Sequence, residues 1–337
     1  MQKATELLLL TLNGAIDRVD GPVTEAELEA ALALARHNKL LLPFCESLLE
    51  TRFGDRVRPV FNQEQRLQSV TNSLLVATAV QASRLLGEAG IVHASFKGPI
   101  QQKKIFNAFY GKMSSDLDIL VLDEDFDQAR ETLCAAGYLL PPECDRSWWR
   151  NFLGEQHLVR QDGGILSIDL HHKVQQPGCP SPRHIGLFLE ELAFVEAGQA
   201  RVPTFSTTNT ALIVAMNIVK AISNGERCGG HVYDLACLVK GLGEQEREAL
   251  EAMALRQNLQ ATLRLALARS ERFFGAGFAA SSLPANDPEA QVIFETAVQR
   301  QSVRRRFSFL ADLADNSMST VMESMRLAIS ECARVLS

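Results

Sequence analysis

Apolar residues recur at helical spacing through roughly the first ninety positions. Pro22-Val23-Thr24-Glu25-Ala26-Glu27-Leu28 carries a helix start, with Thr24 as cap and Glu27 three residues later completing a capping box. The spacing continues over residues 28–49, interrupted at Pro43, and a second long amphipathic stretch covers 64–87 before Gly87 or Gly90 stops it. The apolar run at 7–12 follows Lys3 and Glu6. It is too short for a membrane span and has no small-residue cleavage site, so it predicts the buried face of a helix.

The period changes near residue 91. Residues 91–96 read as a strand closed by Lys97-Gly98-Pro99, with Pro99 suited to the first turn of a helix. A second strand is predicted at 117–122, a helix at 125–136 stopped by Gly137, and a third strand at 138–140. Residues 157–160 and 165–171 read as a hairpin around Gln161-Asp162-Gly163-Gly164. Beyond the Pro/Gly-rich piece at 175–183 the pattern turns helical again, with segments at 208–222, 233–242 and 244–274, a loop at 279–287 and two further helices after it. The expected fold is therefore α+β. A small mixed-sheet core at 91–175 stands between an N-terminal helical region, 1–90, and a C-terminal helical region, 176–337.

Composition narrows the class. A chain of 337 residues that is 46% hydrophobic can bury a large interior, and a net charge of −6 argues against a general nucleic-acid binder. Seven cysteines without a C-x-x-C pair fit reduced thiols in a cytoplasmic protein. No stretch suggests a membrane partner.

The chemistry is concentrated in Ser114-Ser115-Asp116-Leu117-Asp118-Ile119-Leu120-Val121 and Ser167-Ile168-Asp169-Leu170-His171. Side chains on a strand alternate between faces, so Asp116 and Asp118 share one face while Leu117 and Ile119 turn to a core. Asp169 alternates in the same way between Ile168 and Leu170. Three carboxylates from two neighbouring strands would converge, and such a cluster needs protons, basic partners or metal to be stable. Hard oxygen ligands suit Mg²⁺ or Mn²⁺. Replacing Asp116 or Asp118 by Asn is expected to relieve repulsion and leave metal-free stability equal or higher. Upstream, Gly98 lets a phosphate approach the backbone at a helix start, and Lys97 adds a charge there. His171 shares the face of Asp169 and could orient a carboxylate, while His172 faces away. His93 and His157 read as structural, and Asp234 as a charge at a helix start. Arg300, Arg304, Arg305 and Arg306 form the most basic stretch, read as a solvated face or a docking surface for an anionic acceptor. Trp148-Trp149 reads as core-and-rim packing.

Together these residues resemble the DNA-polymerase-beta-like nucleotidyltransferase superfamily, and more closely its uncharacterised bacterial nucleotidyltransferase family. The similarity rests on Lys97-Gly98, Asp116-Leu117-Asp118-Ile119-Leu120-Val121, Gly137-Tyr138 and Asp169-Leu170-His171. Lys112, Ser115 and His172 stand where that family usually has arginine, glycine and tryptophan. The resemblance implies transfer of a nucleoside monophosphate from an NTP to an acceptor with release of pyrophosphate. Asp116, Asp118 and Asp169 would hold the metal, and Asp169 would take the acceptor's proton. By the same resemblance Lys112 would bring a charge to the nucleotide's phosphates, and Ser114 and Ser115 would touch the γ-phosphate or serve only as loop residues. The acceptor, whether small molecule, peptide, protein or tRNA, is not selected by the sequence. Two other readings remain open: a non-catalytic nucleotide-sensing or partner-binding protein on the same fold, and a phosphohydrolase releasing orthophosphate.

Overall fold

The computed structural model describes residues 2–19, 21–160, 167–275, 287–295, 301–313 and 317–336. Four helices open the chain: α1 (Gln2–Leu12), α2 (Glu25–His37), α3 (Leu41–Leu48) and α4 (Gly54–Glu88). In α1 Leu7, Leu8, Leu9 and Leu10 are all buried, as the apolar run requires. The capping box is present: Glu27 N–H donates to Thr24 Oγ1 at 3.2 Å, and Thr24 N–H to Glu27 Oε2 at 2.8 Å. The break expected at Pro43 falls earlier, at Asn38 and Lys39. Pro43 instead sits in the first turn of α3, where its missing N–H costs nothing. Helix α4 begins ten residues before the predicted stretch.

The sheet follows. Its strands are β1 (His93–Ser95), β2 (Asp116–Val121), β3 (Tyr138–Leu139), β4 (Glu155–Arg160) and β5 (Ser167–His171), in the order β1-β2-β5-β4-β3. Helix α5 (Gly98–Phe106) joins β1 to β2, and α6 (Phe126–Ala135) joins β2 to β3. Strand β2 pairs antiparallel with β1 but parallel with β5, and β5 runs antiparallel to β4. The turn expected at 161–164 lies outside the described residues.

Alternation along β2 sorts its side chains between two cores. Leu117, Ile119 and Val121 pack with Leu75, Ala79 and Leu86 of α4 and with Phe126 and Leu133 of α6. On the other face Leu120 joins Ala94 and Phe96 in a larger cluster built from the N-terminal and C-terminal helices. Full burial of each aliphatic side chain is worth about 1.5–3 kcal/mol relative to exposure. A one-residue slip of β2 would turn the whole set over, so the register is strongly specified. The polar members of the second face, Asp116 and Asp118, are thereby aimed towards the helical layer.

After α7 (Leu187–Glu190) the chain forms a hairpin that the sequence pattern did not announce. Strands β6 (Leu192–Ala197) and β7 (Ala200–Phe205) turn through Gly198, whose φ of +66° is what a type II′ turn asks of its first central residue. Thr204 Oγ1 donates to Ser95 O at 2.7 Å, tying the hairpin to β1. Helices α8 (Thr207–Asn224), α9 (Gly229–Lys240), α10 (Glu244–Gln257) and α11 (Gln260–Phe274) come next. The run expected as one helix over 244–274 is two, because Asn258 adopts a left-handed φ of +59° and ends α10. The short α12 (Pro288–Ala290), α13 (Val303–Asp312) and α14 (Ser317–Leu336) complete the described chain; most of the loop expected at 279–287 lies outside the described residues. No described helix is long and apolar enough to cross a membrane, and all seven cysteines are free thiols.

Candidate active site

The turn from β1 into α5 places the first functional groups. Phe96 N–H donates to Asp118 O at 3.2 Å, holding the end of β1 against β2. Gly98 has φ +63°, and a Cβ there would lie 3.3 Å from Asp116 O, so glycine lets the start of α5 press against the second strand. Lys97, the N-cap residue, extends its ammonium to Asp118 Oδ1.

Parallel pairing of β2 with β5 makes Asp118 and Asp169 register partners, while Asp116 stands opposite Ser167. His171, two residues beyond Asp169 on the same face, has Nε2 3.0 Å from Asp118 Oδ1 and Nδ1 3.3 Å from Glu155 Oε2. One ligand atom each from Asp118, Asp169 and His171 all fall within 4.8 Å of one another. Asp116 is not part of this tight group; it is half-buried and, with Asp118 but not Asp169 or His171, lines the cavity in front of the sheet. His157, read from sequence as structural, is in fact the partner of Asp169: its Nδ1 is 2.6 Å from Asp169 Oδ1, across the β4–β5 pair.

The two facing carboxyls differ electrostatically. Burial pushes Asp118 up, but the Lys97 ammonium and the bond with His171 outweigh it and hold the carboxyl well below its ordinary value. Asp169 is raised, first by burial and then by the neighbouring charge of Asp118.

The loop between α5 and β2 is pinned by two amides. Gln102 accepts from Lys112 N–H at 2.8 Å and donates to Lys112 O at 2.8 Å and to Ser114 Oγ at 3.0 Å. Asn72 of α4 donates to Phe109 O and Lys112 O and accepts from Ser114 N–H. Ser114 is buried and Ser115 exposed. Lys112 is buried, and its ammonium donates to Gly230 O at 2.8 Å and to the carboxylate of Asp234 on α9. Asp234 is therefore not a helix-start charge, as the sequence suggested. It lies one and a half turns into α9 and is the partner of Lys112.

A cavity of about 200 Å³ opens in front of these groups. Asp116, Asp118, Lys97 and Gly98 form its sheet side, and Lys112, Met113 and Ser114 its loop side. The remaining wall comes from the helical layer: Lys39 after α2, Asn217 in α8, Arg227 in the following loop and His231 at the start of α9. Sequence reasoning missed this wall. One signal for it is Asn217, an amide within the apolar run of α8.

The remaining candidates sit elsewhere. Trp148 donates from Nε1 to Ser330 O and Oγ, both at 3.1 Å, and packs edge-on against Trp149. Arg306 donates to Pro177 O, Arg304 and Arg305 are exposed, and Arg300 lies outside the described residues. His172 faces away from the carboxylates, towards Asp123, Arg150 and Phe126.

No curated protein matches the chain. Acidic groups of two paired strands thus face a lysine–glycine turn, and a family model matches the chain. The model described as uncharacterised nucleotidyltransferase matches residues 24–275, three-quarters of the chain, and the protein belongs to that nucleotidyltransferase family.

Proposed function

We propose that the protein transfers a nucleoside monophosphate from an NTP to an acceptor hydroxyl, with Mg²⁺ or Mn²⁺, releasing pyrophosphate. The observation that carries this reading is the pairing of Asp118 with Asp169 on adjacent parallel strands, within reach of His171 and beside the Lys97-Gly98 turn. The donor set fits a divalent cation: two carboxylates and an imidazole whose ligand atoms lie within 4.8 Å of one another, with Asp116 close by on the same face. Asp116, Asp118 and Asp169 would hold the ion, and their carboxylate oxygens suit Mg²⁺ or Mn²⁺. When bound, the metal supplies a lowered pKa for the acceptor hydroxyl and stabilises the leaving oxygens.

The chain's own residues do the rest. Lys97 keeps Asp118 ionised and is placed to turn its charge to a phosphate oxygen. Gly98 keeps the start of α5 open, where backbone N–H groups and the helix dipole favour an anion. Asp169, held by His157, is the carboxylate placed to receive the acceptor's proton. Ser114 fixes the loop through Gln102, Ser115 stands exposed at its edge, and Lys112 braces the same loop against α9. In this reading the catalytic unit is residues 91–175, and residues 1–90 and 176–337 close the pocket around it. The acceptor is a small molecule, peptide, protein side chain or tRNA end.

A second reading, a nucleotide-sensing or partner-binding protein with no turnover, is favoured by one observation. The ammonium groups of Lys97 and Lys112 are both already engaged by aspartates. Incubation with each α-labelled NTP, Mg²⁺ or Mn²⁺ and cell extract separates the two. Labelled product and pyrophosphate from the wild type, absent in Asp118→Asn, is the expected result. Nucleotide binding with no pyrophosphate from any NTP would establish the second reading instead.

A further inference from the structure

Two cations of the pocket have no role in the account above. Lys39 is exposed at the turn between α2 and α3, and Arg227 is half-buried in the loop between α8 and α9; both line the cavity. Among the described residues neither side chain has a hydrogen-bond or ion-pair partner, whereas Lys97 and Lys112 are each paired with a buried aspartate. A half-buried guanidinium normally finds an oxygen acceptor, because its planar fork is built for carboxylate or phosphate. Lys39 also stands at φ +58°, a left-handed conformation that glycine or asparagine adopts at lower cost after a helix. Its side chain therefore occupies a position where backbone preference alone argues against lysine.

Close packing brings these groups to one wall. A Cβ on Gly230 would lie 2.3 Å from Asn38 O, so only glycine lets the start of α9 meet the α2–α3 turn. That contact sets Lys39 beside His231 and the first turn of α9, a 12-residue helix whose N-terminal dipole adds to the positive field. The cavity thus has Asp116 and Asp118 on its sheet side and, opposite, Lys39 and Arg227 beside the Lys112–Asp234 pair, whose own charges offset each other. At about 200 Å³ it is smaller than the ~300–1,000 Å³ of pockets that enclose whole ligands, so it takes the compact anionic end of a nucleotide.

We propose that Lys39 and Arg227, with the start of α9, bind the β- and γ-phosphates of the nucleoside triphosphate, leaving the α-phosphate towards Asp118. This rests on the transfer reading for its ligand but not for its measurement. The helical regions thereby contribute the polyphosphate site, and the sheet contributes the reacting end.

The test is calorimetric binding of inorganic tripolyphosphate to the full chain in chelator, beside steady-state kinetics with NTP and metal. Lys39→Gln and Arg227→Gln should each weaken tripolyphosphate binding by about tenfold or more, with Arg227→Lys recovering part of the loss. Asp118→Asn should keep tripolyphosphate binding while losing transfer. In the kinetics both Gln variants should raise KM for NTP and leave KM for the acceptor unchanged. Wild type that does not bind tripolyphosphate, folded Gln variants that bind as tightly as wild type, or a raised KM for the acceptor alone would each overturn the assignment. Tripolyphosphate binding that depends on Lys39 and Arg227, in a protein that releases no pyrophosphate from any NTP, would keep the anion site and overturn the transfer reading.

Discussion

Asp118 and Asp169 face each other as register partners on the parallel β2–β5 pair, yet their charges are handled in opposite ways. Lys97 and His171 hold the first carboxyl in its ionised form against the effect of burial. The second is raised by burial and by the first. The repulsion expected among the carboxyls is thus answered at Asp118 by Lys97 and His171 and persists at Asp169, to which His157 is bonded.

That asymmetry predicts different costs for the two amides. Asp118→Asn removes the partner of Lys97 at a buried site and should destabilise the metal-free protein by about 1–3 kcal/mol. Asp169→Asn removes a charge that its surroundings disfavour and should change stability by less than about 1 kcal/mol. The sequence-based expectation that Asn at 118 relieves repulsion therefore reverses. Urea unfolding in the presence of chelator measures both. Equal stability of Asp118→Asn and wild type would mean that the Lys97 pair does not form in solution.

Gly98 is expected to be a sensitive position. With φ +63° and a would-be Cβ 3.3 Å from Asp116 O, Gly98→Ala should cost about 1–2 kcal/mol and displace the start of α5 from β2. Gly87→Ala is the control, since nothing lies within 4 Å of its Cβ and its helical position favours alanine. Melting temperatures should fall for the first and hold or rise for the second. A Gly98→Ala protein as stable and as active as wild type would show that the turn tolerates a side chain.

The parts of the site legible in the sequence are those that period-2 alternation controls. Asp116, Asp118 and Asp169 could be assigned to one side because Leu117, Ile119, Ile168 and Leu170 must reach the other. The Lys97-Gly98-Pro99 turn was legible because its residues have few other uses. The opposite wall was not, because Lys39, Arg227 and His231 come together only through helix packing between positions nearly two hundred residues apart. The same holds for Asp234, whose spacing shows a helical acid and whose partner Lys112 lies 122 residues upstream. The β6–β7 hairpin was hidden by its own composition. Pro203 and the exposed Glu196–Arg201 pair interrupt a strand pattern that edge strands alone tolerate.

The Lys112–Asp234 pair supplies a prediction about pH as well as stability. Lys112→Met leaves Asp234 buried without its counter-charge and should cost about 3–5 kcal/mol near pH 8. Burial already raises Asp234, so in the variant the native state takes up a proton more readily than the unfolded chain. The deficit relative to wild type should therefore shrink as pH falls towards 5. The double variant Lys112→Met with Asp234→Leu should recover most of the loss. Denaturant midpoints of the three proteins at the two pH values decide the matter, and a deficit independent of pH would contradict the buried-pair account.

His172 should make the fold sensitive to mild acid. Its Nε2 is 2.6 Å from Arg150 Nη1 and 2.8 Å from Arg150 O, and its Nδ1 is 2.9 Å from Asp123 Oδ1, so the ring sits between a cation and a carboxylate. Burial first, and then the charge of Arg150, push its pKa from 6.5 down to about 4. Well above pH 6.5 the ring is neutral in both states and contributes no pH dependence. Between about 6.5 and 4 the unfolded chain binds a proton that the native state refuses, so stability must fall as pH falls. From pH 6.5 to 5 the loss from this one group should be about 1.5 kcal/mol. Gln can accept from Arg150 and donate to Asp123 without titrating, so His172→Gln should show a correspondingly shallower decline. Urea unfolding of both proteins across that interval isolates the residue, and identical slopes would mean that folding leaves the proton affinity of His172 unchanged.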